Sequence, residues 1–269
     1  MDTYETIRRE SFTWIREAGM VARARFGMAR TSIKPDASPV TDADHAVQAA
    51  LLDAIASRYP HDAVLTEETQ VDPRRHANIA TAKRCWVIDP IDGTRNYARS
   101  VPLYSVSVAL VENGYPVVGM ILDPAGGDMY SASAGGGAWL NERRLQTEPP
   151  YSADVLIGIP SGTHHRLPAV LHPWLQKYRL RNTGSTALHL AYLAAGGFDA
   201  VYLGECHLWD VAAGWLIGNE AGVRTHSTLD RPVFPVDLAI DGHKEVAYLA
   251  ARPAMLERLW AEMQAAGEE

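Results

Sequence analysis

A chain of 269 residues, 47% hydrophobic and 21% charged, can bury a large core as one big domain or two intimate halves, and it lies far from the disordered regime. Its net charge of −7 argues against a broad electrostatic hold on nucleic acid or an anionic membrane, yet leaves room for a small anionic substrate held through cations. The two cysteines, Cys85 and Cys206, have no CxxC or Cys/His metal spacing and read as buried free thiols.

The opening Met1-Asp2-Thr3-Tyr4-Glu5 lacks the basic and apolar character of a leader, and no apolar run approaches a membrane span, so the expected compartment is cytoplasmic. Apolar positions Tyr4, Ile7, Trp14, Ile15, Ala18 and Val21 predict an amphipathic helix over 4–27. Arg30 to Pro39 reads as a loop. Thr41 or Asp42 then caps a second helix with the stripe Val47, Ala50, Leu51, Ala54 and Ile55, which Tyr59-Pro60 ends. Ala63-Val64-Leu65 is a buried strand leading into Thr66-Glu67-Glu68-Thr69, and 74–83 is a polar loop. Strands are expected near 85–89, 104–112 and 116–123, with a hairpin at Glu112-Asn113-Gly114-Tyr115-Pro116, and again at Met129–Ser133. No helix-start lysine or serine follows Gly135-Gly136-Gly137, which marks those glycines as a turn rather than a phosphate loop.

A polar stretch over 141–150 divides the single unit 1–269 into an N-terminal α+β half, 1–145, and a C-terminal α/β half, 146–269. The second half alternates more regularly. Strands are expected at Val155–Ile159, Phe198–Leu203 and Val246–Ala250, and helices at Pro168–Tyr178, Ser185–Ala195, Leu208–Ala221 and Pro253–Ala266. There is no internal repeat.

The chemistry concentrates in Asp89-Pro90-Ile91-Asp92-Gly93-Thr94, directly after the apolar run Cys85–Ile88. Carboxylates are hard oxygen ligands suited to Mg²⁺, and the Gly-Thr amides that follow can hold a phosphate. Glu67 and Glu68 close a second apolar strand. If the two strands are neighbours, three or four carboxylates face one spot, an arrangement that is costly unless cations neutralise it. A cap and a turn would explain Asp92 alone but not the set. Adjacent acids on an extended segment point opposite ways, so only Glu67 of the pair is expected to coordinate.

Four segments, in this order, carry a resemblance: Ser38–Asp44, Thr66-Glu67-Glu68, Trp86–Tyr97 and Leu208-Trp209-Asp210-Val211-Ala212-Ala213-Gly214. From about residue 5 to residue 225 the chain resembles the inositol monophosphatase family of Mg²⁺-dependent, lithium-sensitive phosphatases. The resemblance implies a layered αβαβα sandwich of the sugar-phosphatase fold, usually a homodimer. It further implies two or three Mg²⁺ ions held by Glu67, Asp89, Asp92, Asp210 and the Ile91 carbonyl. A metal-activated water is the implied nucleophile, and no Ser or Cys sits in a nucleophile-elbow or thiolate context to compete with it. Thr94 matches the threonine that positions this water, and Asp44 the acid that hydrogen-bonds it. Each also suits a plainer role, Thr94 as a cap for a helix starting at Arg95 and Asp44 as a stabiliser of its own helix start; both roles can hold at once. The Gly93 and Thr94 amides are expected on the phosphate. Trp209 reads as a core anchor and His207 as a structural hydrogen-bonder. Lys34 either approaches the metals or is a solvated loop lysine.

Gly184-Ser185-Thr186 resembles the segment that touches the substrate's hydroxyl-bearing ring, with Asp92 and Asp210 facing the substrate from the metal side. Where inositol phosphatases usually present a glutamate, Leu203 stands; Glu205 either reaches the same space or is a loop charge. The implied substrate is inositol 1-phosphate or a similar sugar or polyol phosphate. The alternatives are histidinol phosphate, 3′-phosphoadenosine 5′-phosphate, fructose 1,6-bisphosphate, or a non-enzymatic metal-binding partner protein, which would have no reason to keep the acid set. No nucleic-acid or membrane partner is expected.

Overall fold

Apolar spacing builds the first elements of the computed structural model, which describes residues 3–35, 37–68, 77–146, 154–160 and 171–267. Helix α1 (Thr3–Arg25) buries Ile7, Trp14, Ile15 and Ala18 along one stripe. A short antiparallel hairpin follows in place of the expected loop, β1 (Thr31–Ile33) with β2 (Pro39–Thr41). All three β1 residues are exposed, so no apolar alternation announces the strand. Thr41 caps α2 (Asp42–Arg58), and Asp44 returns the bond to the Thr41 amide in a capping box.

β3 (Ala63–Thr66) runs parallel to β4 (Arg84–Asp92), with Thr66 level with Ile88. After the single turn α3 (Thr94–Tyr97) come β5 (Ser105–Glu112), β6 (Tyr115–Leu122), β7 (Met129–Ser133), β8 (Gly137–Leu140) and β9 (Arg143–Arg144). These seven strands form one sheet in sequence order. Asn113 and Gly114, at φ 52° and 79°, make the two-residue hairpin turn. The glycine turn before β8 does bind an anion, but one supplied by the chain itself: the Glu220 carboxylate accepts the Gly135 and Gly137 amides at 2.9 Å each.

The remaining elements are β10 (Leu156–Gly158), α4 (His172–Lys177), β11 (Arg179–Arg181), α5 (Thr186–Ala195), β12 (Ala200–Cys206), α6 (Leu208–Glu220), β13 (Arg224–Ser227), α7 (Leu238–Asp241), β14 (Val246–Ala251) and α8 (Pro253–Gly267). A second sheet of five strands has the order β11-β10-β12-β14-β13. The strand expected at Phe198–Leu203 runs further, to Cys206. Residues 168–170 of the expected fourth helix, 74–76 of the expected loop and 147–150 of the expected boundary lie outside the described residues.

The layering is αβαβα. α1 and α2 cover one face of the larger sheet around Trp86, Ile88, Val108 and Met120. α5 and α6 fill the space between the two sheets. α4 and α8 close the outer face of the smaller sheet through Trp174, Leu256 and Leu259. Helix α6 is buried nearly all round, as a helix between two sheets must be. Its close seat depends on small residues: a Cβ on Gly119 of β6 would lie 2.7 Å from the Ala213 carbonyl oxygen. Both cysteines are buried free thiols, and burial pushes Cys85 up to about 12. Among the described residues no helix is long and apolar enough to cross a membrane.

Candidate active site

Strict alternation along β4 would place Asp89 and Asp92 on opposite faces of the sheet. They share one face because the register against β5 slips between them: Asp89 pairs with Ser107 and Asp92 with Ser105, so Pro90 and Ile91 together oppose one residue. A proline has no N–H for the ladder, which makes this a natural place for a bulge. The bulge turns Ile91 into the α1–α2 core and Asp92 toward α5 and α6. From that side the first turn of α6 brings Asp210. Oxygens of Asp89, Asp92 and Asp210 all lie within 4.8 Å of one another.

The cluster is held by backbone amides and hydroxyls, and among the described residues no lysine or arginine pairs with it. Asp89 Oδ1 accepts the Ile91 amide at 3.0 Å, and Asp210 Oδ2 accepts the His207 amide at 2.7 Å. Asp92 sits over the start of α5, taking the Thr186 and Ala187 amides at 3.2 and 2.7 Å and the Ser185 hydroxyl. Burial, with the charge of neighbouring acids, holds the Asp89 and Asp210 carboxyls well above the usual carboxylate range. Burial also pushes Asp92 up to about 6, against the pull of its hydrogen bonds. Two buried carboxylates and one half-buried one that repel one another, with no lysine or arginine among them, fit a site for Mg²⁺.

Glu67 leaves β3 beside Asp89 and is held by Lys34, whose Nζ donates to Glu67 Oε1 at 2.8 Å and to Glu68 Oε1 at 2.7 Å. Lys34 is therefore paired with the two glutamates rather than free in solvent. Partial burial opposes its charge, but the two glutamates outweigh that and hold the ammonium above the usual lysine range. The expectation that Glu67 and Glu68 point apart fails here. β3 ends at Thr66, the next two residues form a bend, and the strand's two-residue period stops with it. Burial and the Glu67 charge push Glu68 up to about 7.

Asp44 uses its two oxygens separately. Oδ2 accepts the Thr41 amide at 2.9 Å and completes the capping box, while Oδ1 accepts from Thr94 Oγ1 at 3.2 Å. The same Thr94 hydroxyl lies 2.9 Å from the Ile91 carbonyl oxygen, so its single hydrogen has two acceptors to choose between. Gly93, at φ 96°, is the cap residue of α3.

A cavity of about 250 Å³ opens beside the acids, lined by Glu67, Gly93, Thr94, Asp210, Gly184, Ser185, Thr186 and Glu205. Leu203 does not line it. That side chain is fully buried in the core between the sheets, and a second bulge explains why Glu205 faces the cavity instead. Between Leu203↔Tyr248 and Cys206↔Val246, Gly204 and Glu205 together oppose a single residue of β14. Trp209 is buried with its ring stacked on His207 at 4.7 Å, an anchor for the helix that carries Asp210.

Asn96 and His189 are among the wall residues that the sequence reading did not single out. Asn96 Nδ2 donates to the Leu103 and Thr183 carbonyls at 2.7 Å each, tying α3 to the loop before α5; it stands inside the Trp86–Tyr97 segment, so a signal existed. His189, on α5, had none beyond being a polar residue in an apolar helix. Burial pushes its imidazole down to about 4 from an ordinary value of 6.5. The folded value lies below the unfolded one, so the neutral ring stabilises the protein above pH 6.5 and this contribution is lost as the pH falls toward 4. Urea unfolding between pH 7 and pH 4 should show wild type losing about 3 kcal/mol relative to His189→Leu. Parallel curves would rule out a buried neutral ring.

Comparison with known proteins agrees with this arrangement. The sequence profile of the Inositol monophosphatase family matches residues 3–265. A protein named Nus factor SuhB from Xylella fastidiosa is 36% identical over 189 residues, spanning 68% of this chain and 66% of its own. The inositol-1-monophosphatase of Bacillus subtilis is 32% identical over 259 residues, covering 93% of each chain. A crystal structure of an IMPase/NADP phosphatase complexed with Mg²⁺ and phosphate superposes with a TM-score of 0.81, at 23% identity over 97% of this chain and 96% of that one. The match runs through the segments that build the acid cluster and through both sheets: the chain belongs to the inositol monophosphatase family.

Proposed function

We propose that the protein hydrolyses a small phosphomonoester with Mg²⁺, and that its leaving group is a polyol or sugar, with inositol 1-phosphate the first candidate. The observation that carries this is the trio Asp89, Asp92 and Asp210, delivered by two elements to one spot at the mouth of a cavity. Mg²⁺ held there, with Glu67 and the Ile91 carbonyl completing the oxygen set, would supply Lewis-acid activation of phosphate and water. The chain's own groups do the rest. The Thr94 hydroxyl, backed by Asp44, accepts from and orients the attacking water, and the Gly93 and Thr94 amides bind phosphate oxygens. Gly184 to Thr186 and Glu205 form the wall for the leaving group. Glu205 has no partner among the described residues and offers only acceptors, which suits hydroxyls and repels a second phosphate.

A relative named as a Nus factor raises a second reading, a partner protein without catalysis. The acid trio and the open cavity weigh against it, since neither is needed for a docking surface. The test is Mg²⁺-dependent phosphate release from inositol 1-phosphate, fructose 1,6-bisphosphate, 3′-phosphoadenosine 5′-phosphate and histidinol phosphate, by wild type and Glu205→Gln. Wild type should prefer the polyol monophosphate, and Glu205→Gln should lose about tenfold in kcat/KM on that substrate while gaining on the bisphosphate, whose second phosphate no longer meets a carboxylate. No release from any of the four sinks the hydrolytic reading; an unchanged preference in Glu205→Gln removes Glu205 from it.

A further inference from the structure

The loop before α5 is wired along its length. The Thr183 amide donates to His189 Nε2 at 2.9 Å, and the Thr183 carbonyl accepts from Asn96 at 2.7 Å. The Thr183 hydroxyl donates to the Ser185 carbonyl at 3.0 Å, and the Gly184 amide to Asn182 Oδ1 at 2.8 Å. Ser185 in turn bonds Asp92 and caps the Leu188 amide at 3.2 Å. Asn182, Gly184 and Ser185 all line the cavity.

His189 is only 1% exposed, and it sits on α5 with its ring against Phe198. The amide of Thr183 points at Nε2, so Nε2 carries the lone pair and the neutral ring has its proton on Nδ1. That Nδ1 is buried and has no hydrogen-bond partner among the described residues. A buried donor left unpaired is unfavourable, and a leucine at this apolar helix position would avoid it. What leucine lacks is the acceptor for Thr183.

We propose that His189 is a positioning residue: its Nε2 lone pair fixes the Thr183 peptide, and through it the Asn182–Ser185 wall that receives the leaving group. Its ring nitrogen bonds none of the acid trio; although it lines the cavity, its one hydrogen bond among the described residues is to the Thr183 amide, while Asn96 holds the carbonyl of the same residue. The proposal rests on the hydrolytic reading for its kinetic consequence, but not for its structural one.

The test compares His189→Leu, which keeps bulk and removes the acceptor, with His189→Gln, whose amide oxygen can reach the position of Nε2. His189→Leu should melt near the wild-type temperature, raise KM for inositol 1-phosphate about tenfold and leave kcat and the Mg²⁺ half-activation concentration within about twofold. Hydrogen exchange at the Thr183 amide should speed up in step. His189→Gln should recover both the KM and the slow exchange. An unchanged KM in His189→Leu, or an equal rise in both variants, overturns the proposal. If His189→Leu does not fold, His189→Gln decides alone: wild-type KM and Thr183 protection support the clamp, and loss of either overturns it. If wild type releases no phosphate, the hydrolytic reading has failed separately, and amide exchange in the two variants still decides the clamp.

Discussion

Asp89→Asn is expected to lower turnover by about a thousandfold or more while raising the melting temperature of the protein in chelator. The two effects have one cause. Asparagine keeps an oxygen for the Ile91 amide, now at 3.0 Å from Asp89 Oδ1, so the bulge that aims Asp92 survives. It removes a carboxyl that burial and the charges of Glu67, Asp92 and Asp210 hold well above its ordinary range. Without metal that repulsion is a standing cost, and each kcal/mol relieved should appear as about 2–4 °C. With metal the same substitution deletes an anionic ligand, so the stabilisation that Mg²⁺ brings to wild type should shrink sharply. Calorimetry with EDTA and with saturating Mg²⁺, beside a phosphate-release assay, checks all three effects. Undiminished turnover, or a Mg²⁺ stabilisation equal to that of wild type, would sink the assignment of Asp89 as a ligand.

How much of this was legible before folding depends on which interactions are local. The carboxylates and the Gly-Thr turn stand together in Asp89–Thr94, and the Thr41 cap and the Asn113-Gly114 hairpin are short-range chemistry. The common face of Asp89 and Asp92 is not local, because it arises from pairing with β5 across a bulge. Glu205 and Leu203 repeat the lesson: a slip in register against β14 decides which of them meets the cavity. Strands of two to four residues such as Arg179–Arg181 and Arg224–Ser227 are too short and too polar to alternate visibly. The order of layers came from family resemblance. Its physical trace lies in α6, whose Ala212, Ala213 and Gly214 are buried against a sheet on one side and α5 on the other. His189 shows the opposite limit. Nothing in its neighbourhood of sequence says that its nitrogen serves Thr183.

Gly93→Ala should cost about a hundredfold or more in kcat/KM, and Gly135→Ala almost nothing, although both glycines sit in the left-handed region at φ 96° and 75°. Alanine at either site bears a similar backbone strain of about 1–2 kcal/mol, so the two variants should lose comparable stability from that source. They differ in what the new methyl meets. At Gly135 nothing lies within 4 Å. At Gly93 the Cβ would stand 3.0 Å from the Leu103 carbonyl oxygen and 3.2 Å from that of Gly184, both backbone atoms with little room to yield. Those carbonyls belong to the two segments that Asn96 draws together, and the second leads directly into Ser185 and its bond to Asp92. Forcing them apart would shift the Gly93-Thr94 turn proposed to hold phosphate, the proposed leaving-group wall and Asp92 at once. Melting temperatures and kcat/KM measured side by side separate strain from displacement. Equal activity losses in the two variants would assign the effect to general strain, and full activity in Gly93→Ala would show that the close packing of this turn is not what aligns the site.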